Sequence, residues 1–290
     1  MACWDPNEIL PPLDDPCHYN WNANDALLVS IYEIMVCIHY GKNRTASQKQ
    51  FVGYSPYIHS STCFFYQIGE NHHDWRDEMD YHQMANDVAA FMDSQQMEKA
   101  VLVGHSMGGK VAQALALLQP HRVDGLVVLD IAPVTYTPKD AHWKAVQDII
   151  HTLQSIQLGE SVTKQDIDVQ LRKAIPDPAL RAFCLTNLDT KTGRWKIHLE
   201  GIAKELDRLA AFDVGNGSST DDTETVERQY EGDAFFIHGG QSKFVRHSYM
   251  GQIAQYFPNH LLTTVKGAGH WIHAEAPDDT VALLKRFLDR

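Results

Sequence analysis

One run of residues limits what this chain can fold into more than any other. An apolar stretch, Ala100-Val101-Leu102-Val103, meets Gly104-His105-Ser106-Met107-Gly108-Gly109, and helical text follows through Val111, Ala114, Leu115 and Leu118 to Pro120. A strand that turns within one residue into a helix needs another strand to return to, and Leu126–Leu129 supplies it, ending on Asp130. Strand–helix–strand spacing of this kind implies a parallel sheet covered by helices. The turn matches G-x-S-x-G in the setting that motif requires. Gly104 and Gly108 leave room for neighbouring backbone, and Ser106 is expected in a strained conformation with its hydroxyl exposed. The helix that follows aims its N-terminus at the serine, so the Met107 amide can donate to a developing oxyanion.

The rest of the chain can be set around this turn. Residues 1–25, rich in Pro, Asp and Asn, read as an irregular tail. Apolar, β-branched text from Ala26 to Tyr40 predicts one or two strands, and Cys63–Ile68 a short one. Asp80 is placed to cap a helix whose stripe is Met84, Val88, Phe91 and Met92, with Gln83 three residues after the cap. Between about 135 and 213 strand signals vanish and helical patterns such as Trp143, Val146, Ile149, Ile150 and Leu153 take over. This predicts a helical insertion, followed by a flexible acidic loop over 214–228. The α/β rhythm returns with a strand at 234–237, a helix at 247–256, a strand at 261–265 and a terminal helix at 279–289. The expected fold class is α/β, with residues 26–134 and 229–290 forming the core and 135–213 a cap.

A serine nucleophile needs a base, and the base needs an orienting acid. His270, in Lys266-Gly-Ala-Gly-His-Trp271 after the last strand, is the candidate base; His273 is its rival, but lies deeper in the turn. Ser242 occupies the position after the penultimate strand where such sites usually carry the acid, and a hydroxyl cannot supply a permanent negative charge. Asp130, at the carboxyl end of the strand next to the serine, is the candidate acid, its plainer alternative being to cap the turn before Pro133.

Composition excludes several other functions. With 44% hydrophobic and 21% charged residues in 290, the chain reads as globular. A net charge of −12 argues against nucleic acid or an anionic membrane as main partner. The five cysteines are scattered without metal-ligand spacing, so no metal site is expected. The start of the chain has neither a basic stretch nor an apolar core, so no secretory signal is read, and no membrane span is expected. A cytoplasmic location is the default.

Three segments carry a resemblance. Gly104-His-Ser-Met-Gly-Gly-Lys110, Leu129-Asp-Ile-Ala-Pro133 and Gly267-Ala-Gly-His-Trp-Ile-His-Ala-Glu275 are similar to a small acyl-esterase branch of the α/β-hydrolase superfamily, which holds short-chain bacterial esterases and their mitochondrial relatives. The resemblance covers roughly residues 70–290. It implies a mostly parallel eight-stranded sheet, a helical cap, and hydrolysis of carboxylic esters or thioesters, small-molecule substrates, without a cofactor. It also implies an acid at Asp130 and leaves a mitochondrial location open. The branch's His-Gly-x-x-Gly oxyanion loop has only His39-Tyr40-Gly41 as counterpart, so Tyr40 and Gly41 are the expected second donors beside Met107. Trp143, Phe183, Leu185, Trp195 and Trp271 are expected around the acyl group, though packing within the cap would explain the cap residues equally well. The competing expectation is a non-catalytic member that binds a ligand or protein, because the oxyanion loop departs from the pattern.

Overall fold

The computed structural model describes residues 33–39, 61–67 and 79–290, apart from 95, 160, 215 and 218–225. Two strands come first, β1 (Glu33–His39) and β2 (Ser61–Gln67). The helix α1 (Tyr81–Ser94) begins where the sequence predicts, with the Gln83 amide donating to Asp80 Oδ1 at 2.8 Å. Its buried residues, Tyr81, Met84, Ala85, Val88, Ala89 and Met92, fall on one face at the spacing of an amphipathic helix. Then come β3 (Ala100–His105), α2 (Met107–Leu118) and β4 (Val123–Leu129). Every residue of α2 from Gly108 to Leu117 is buried. A helix buried on all sides belongs inside a fold, and α2 lies between the sheet and its neighbour α1, with Lys110 donating to the backbone oxygens of Ala210 and Ala211 and Gln113 to that of Gly109.

Between β4 and the next strand of the main sheet the regular structure is mostly helical: α3 (Ala141–Ser155), α4 (Lys164–Leu171) and α5 (Pro178–Cys184) precede α6 (Leu199–Lys204) and α7 (Leu206–Ala210). Local chemistry starts two of these helices. Thr163 and Asp166 form a reciprocal capping box at α4, and Asp177 accepts two amides ahead of Pro178 at α5. The absence of strands expected here needs correction. A two-stranded ribbon, β5 (Leu188–Asp189) and β6 (Arg194–Trp195), sits between α5 and α6, and Trp195 lies in it. Strands two residues long leave no periodicity to detect. In the segment read as a flexible loop, β7 (Asn216–Gly217) pairs with β8 (Val226–Glu227), and 218–225 lie outside the described residues.

The core resumes with β9 (Ala234–Gly239), a short 3-10 turn at His247–Tyr249, α8 (Met250–Tyr256) and β10 (His260–Val265), and closes with α9 (Ile272–Glu275) and α10 (Pro277–Leu288). The described sheet has six strands in the order β10-β9-β4-β3-β1-β2. The first four are parallel, while β1 is antiparallel to both β2 and β3. The polarity of β1 sets Val36 opposite Gly104 and His39 opposite Val101, so its carboxyl end faces the start of β3. Alternation along the strands splits the core between the two faces. Val103, Val127, Leu129, Phe235 and Ile237 pack with Phe287 of α10, whereas Leu102, Leu126, Val128 and Phe236 pack with α1 and α2.

Candidate active site

The carboxyl ends of β3, β4 and β9 converge with the segment after β10. Ser106 sits between β3 and α2 at φ 51°, ψ −121°, a left-handed conformation rarely held by a residue with a side chain. The surroundings enforce it. Ser106 N–H donates to Leu129 O at 3.0 Å, and a Cβ on Gly104 would stand 2.3 Å from Gly108 O, so only glycine fits beneath the turn.

Asp130, the residue after β4, is also left-handed at φ 52° and fully buried. Its N–H donates to Ile237 O at 2.8 Å, which locks it to β9. Three donors meet its carboxylate: the Gly239 amide reaches Oδ1 at 3.0 Å, while the Ser242 hydroxyl and His270 Nδ1 both reach Oδ2, the latter at 2.7 Å. A buried carboxylate is tolerated when its lone pairs are met in this way. The other ring nitrogen of His270, Nε2, lies 2.9 Å from Ser106 Oγ. Because Nδ1–H faces a carboxylate, Nε2 is left as an acceptor for the serine proton. The side chain of His270 is 15% exposed, so it is reachable from solvent although its partner is not. This arrangement can move a proton from the serine hydroxyl to the imidazole and hold the resulting charge.

The structure thus brings Ser106, Asp130 and His270 together, with Met107 at the head of the twelve-residue α2 beside them. The first amides of a helix have no intrahelical acceptor and can bind an anion. Tyr40 and Gly41 lie outside the described residues. The aromatic residues expected around the acyl group divide. Phe183 of α5 meets Trp271 edge to face at 5.5 Å, and Trp271 contacts the His270 ring at 5.1 Å. Trp143 is instead buried and stacked on Tyr136, and Trp195 and Leu185 pack in the large core cluster.

Phe244 was not foreseen from the sequence, nor were the contacts made by His105, an elbow residue, and by His273, the rival base. Phe244 lays its ring 4.2 Å from that of His270, two residues past Ser242, whose Oγ accepts its amide at 3.2 Å. His105 directs Nε2 to the backbone oxygen of His270 at 2.9 Å. As a carbonyl only accepts, His105 carries its proton on Nε2. Burial, reinforced by His273 and His270, pushes its pKa well below the usual histidine range. His273 stands edge-on to His105 at 4.6 Å, and burial lowers its pKa to about 4. The spacing of His105 beside the serine and His273 after the base was the only signal available in the sequence.

Strand ends that gather a serine, a histidine and an aspartate above a parallel sheet define a class, and comparison with known proteins agrees. Residues 53–283 match the alpha/beta hydrolase family, and the chain belongs to that family. It is similar to the sn-1-specific diacylglycerol lipase ABHD11 of Mus musculus, 34% identical over 214 residues, which cover 72% of this chain and 65% of the relative. The chain therefore spans slightly less than two thirds of that relative's length. Esterase YbfF of Escherichia coli (strain K12) is 29% identical over 211 residues, 73% of this chain and 76% of its own. A solved structure described as a marine microorganism esterase superposes with a TM-score of 0.68 at 31% identity, covering 77% of this chain and 83% of the other. Among the described residues no helix is long and apolar enough to cross a membrane.

Proposed function

We propose that this chain is a serine hydrolase that cleaves carboxylic esters or thioesters through an acyl-enzyme. One observation carries the proposal: an unbroken hydrogen-bond chain, 2.9 Å from Ser106 Oγ to His270 Nε2 and 2.7 Å from His270 Nδ1 to Asp130 Oδ2. In the first half-reaction Ser106 Oγ attacks the acyl carbonyl carbon as its proton passes to His270 Nε2. The carbonyl π electrons move to oxygen, where the Met107 amide donates. Collapse expels the alcohol or thiol, which takes the proton back from His270, and leaves the acyl group on Ser106. Water then repeats the sequence, releasing the carboxylic acid and restoring the serine. Asp130 keeps the ring in the tautomer that accepts at Nε2. Phe183 and Trp271, adjacent on the Trp271 side of the base, are assigned to the apolar acyl group, and the helices between β4 and β9 to the cap that carries Phe183.

The relatives named esterase and lipase support ester cleavage, and the buried, triply satisfied Asp130 supports catalysis over a binding-only role. Fluorophosphonate treatment followed by peptide mapping tests the assignment. A single adduct on Ser106 is expected, with hydrolysis of short p-nitrophenyl esters abolished in Ser106→Ala. Labelling elsewhere, or unchanged turnover in the variant, overturns it.

A further inference from the structure

Asp130 and Ser106 fix the two ring nitrogens of His270, and a second set of bonds holds its backbone. Glu275 closes α9, one turn past the base. Its carboxylate reaches back to both amides that flank His270: Oε2 accepts from Gly269 N–H at 2.6 Å and Oε1 from Trp271 N–H at 3.1 Å. From the opposite side His105 donates to the carbonyl between them at 2.9 Å. Three bonds therefore hold three consecutive residues, and one originates on the elbow that carries the serine.

We propose that Glu275, acting with His105, is a positioning residue for the base, a role that rests on the hydrolase assignment above. The physical case has three parts. An ionised carboxylate that accepts two backbone amides makes charge-assisted bonds, stronger and shorter than neutral ones. The fit is also close: a Cβ on Gly269 would stand 3.0 Å from Glu275 Oε1, so the carboxylate lies directly against the loop backbone. Finally, the side chain is exposed and outside both core clusters, so packing gives no reason for an acid here. Glu275 touches the backbone on either side of His270 and acts on the reaction only through it.

The elbow and the base are thus linked twice. The His270 Nε2 contact to Ser106 is remade in each half-reaction, whereas the His105 and Glu275 bonds involve no reacting atom. They keep the imidazole in line with Ser106 while the proton is away. A ring that drifts by about 1 Å loses up to roughly 100-fold in rate.

The experiment compares Glu275→Ala, Glu275→Gln and Ser106→Ala with the wild type in steady-state ester hydrolysis and in the rate of fluorophosphonate labelling. Glu275→Ala is expected to lower kcat and the labelling rate by roughly 10- to 100-fold with KM within about twofold. Glu275→Gln keeps one acceptor oxygen but turns a donor toward the other amide, so it should fall between, at roughly three- to tenfold. A kcat unchanged in Glu275→Ala, or a loss carried by KM, overturns the positioning role while Ser106→Ala stays inactive. Full turnover in Ser106→Ala overturns the hydrolase assignment and the positioning role with it. If Glu275→Ala does not fold, Glu275→Gln decides: a kcat equal to wild type counts against the role, and a loss with KM unchanged supports it.

Discussion

Ser242 and Asp130, 112 residues apart, share one hydrogen bond: the Ser242 hydroxyl donates to Oδ2, the same carboxylate oxygen that accepts His270 Nδ1–H. The position after β9 that would ordinarily hold an acid instead holds a donor to the acid on β4. Removing the donor in Ser242→Ala leaves Oδ2 with His270 alone and frees the Phe244 amide, which Ser242 Oγ also receives. We expect kcat to fall roughly five- to tenfold, about 1–1.4 kcal/mol, with little change in KM. Ester hydrolysis across substrate concentration checks this, and a kcat equal to wild type refutes a catalytic contribution from Ser242.

Asp130→Asn poses a sharper question. The side-chain amide can still accept the Gly239 amide through its oxygen, which turns its NH2 toward His270 Nδ1. Nδ1 must then become the acceptor and Nε2 the protonated nitrogen, the tautomer that cannot take a proton from Ser106. Turnover should drop by roughly 10³–10⁴ while the fold persists, as when the same exchange is made in other serine triads. Circular dichroism and residual ester hydrolysis together test it, and a loss below about tenfold would return Asp130 to a mere turn cap.

Gly239 is packed to the limit. A Cβ there would lie 1.9 Å from Gly269 O and 2.6 Å from Ala268 O, inside the backbone that leads into His270. In Gly239→Ala the loop must move or β9 must bend. We expect destabilisation of about 3 kcal/mol or more, and a fall in Tm of roughly 5 °C or more, with activity lost beyond what stability explains. Differential scanning fluorimetry and turnover well below Tm separate the two effects. An unchanged Tm would show that the loop has slack.

These residues also mark what the sequence makes legible. Ser106 and the start of α1 are written locally: glycines at fixed offsets, and an aspartate ahead of an apolar stripe. Asp130 and His270 follow from strand-end logic, because parallel strands deliver their carboxyl ends to one edge. The polarity of β1 is not legible, since an apolar run reads alike in parallel and antiparallel pairing, and so its carboxyl end lies opposite Val101. Phe244, whose ring covers that of His270, is 26 residues away from it in the chain, a distance no periodicity bridges. Glu275 reads as one more acid near a helix, and only the two amides it accepts distinguish it.

His273 makes stability depend on pH. Both its ring nitrogens are buried with no partner among the described residues, and the ring of His105 stands edge-on to it at 4.6 Å. Burial, with a smaller push from His270, holds its folded pKa near 4, against 6.5 for an unhindered histidine. The unfolded chain therefore binds the proton first as pH falls. Stability from this group is fully present above pH 6.5, declines as pH drops through the interval to about 4, and changes no further below it. Over that interval the loss is about 3 kcal/mol from His273, and His105, shifted in the same direction, adds to it. His273→Leu places an apolar group of similar bulk at a site that offers no hydrogen bond, so it should flatten the decline by the His273 share and leave that of His105. Urea melts at intervals between pH 4 and pH 7 measure both slopes. A variant whose stability falls as steeply as the wild type would mean that His273 is protonated in the folded protein, and that its ring finds a hydrogen-bond partner there.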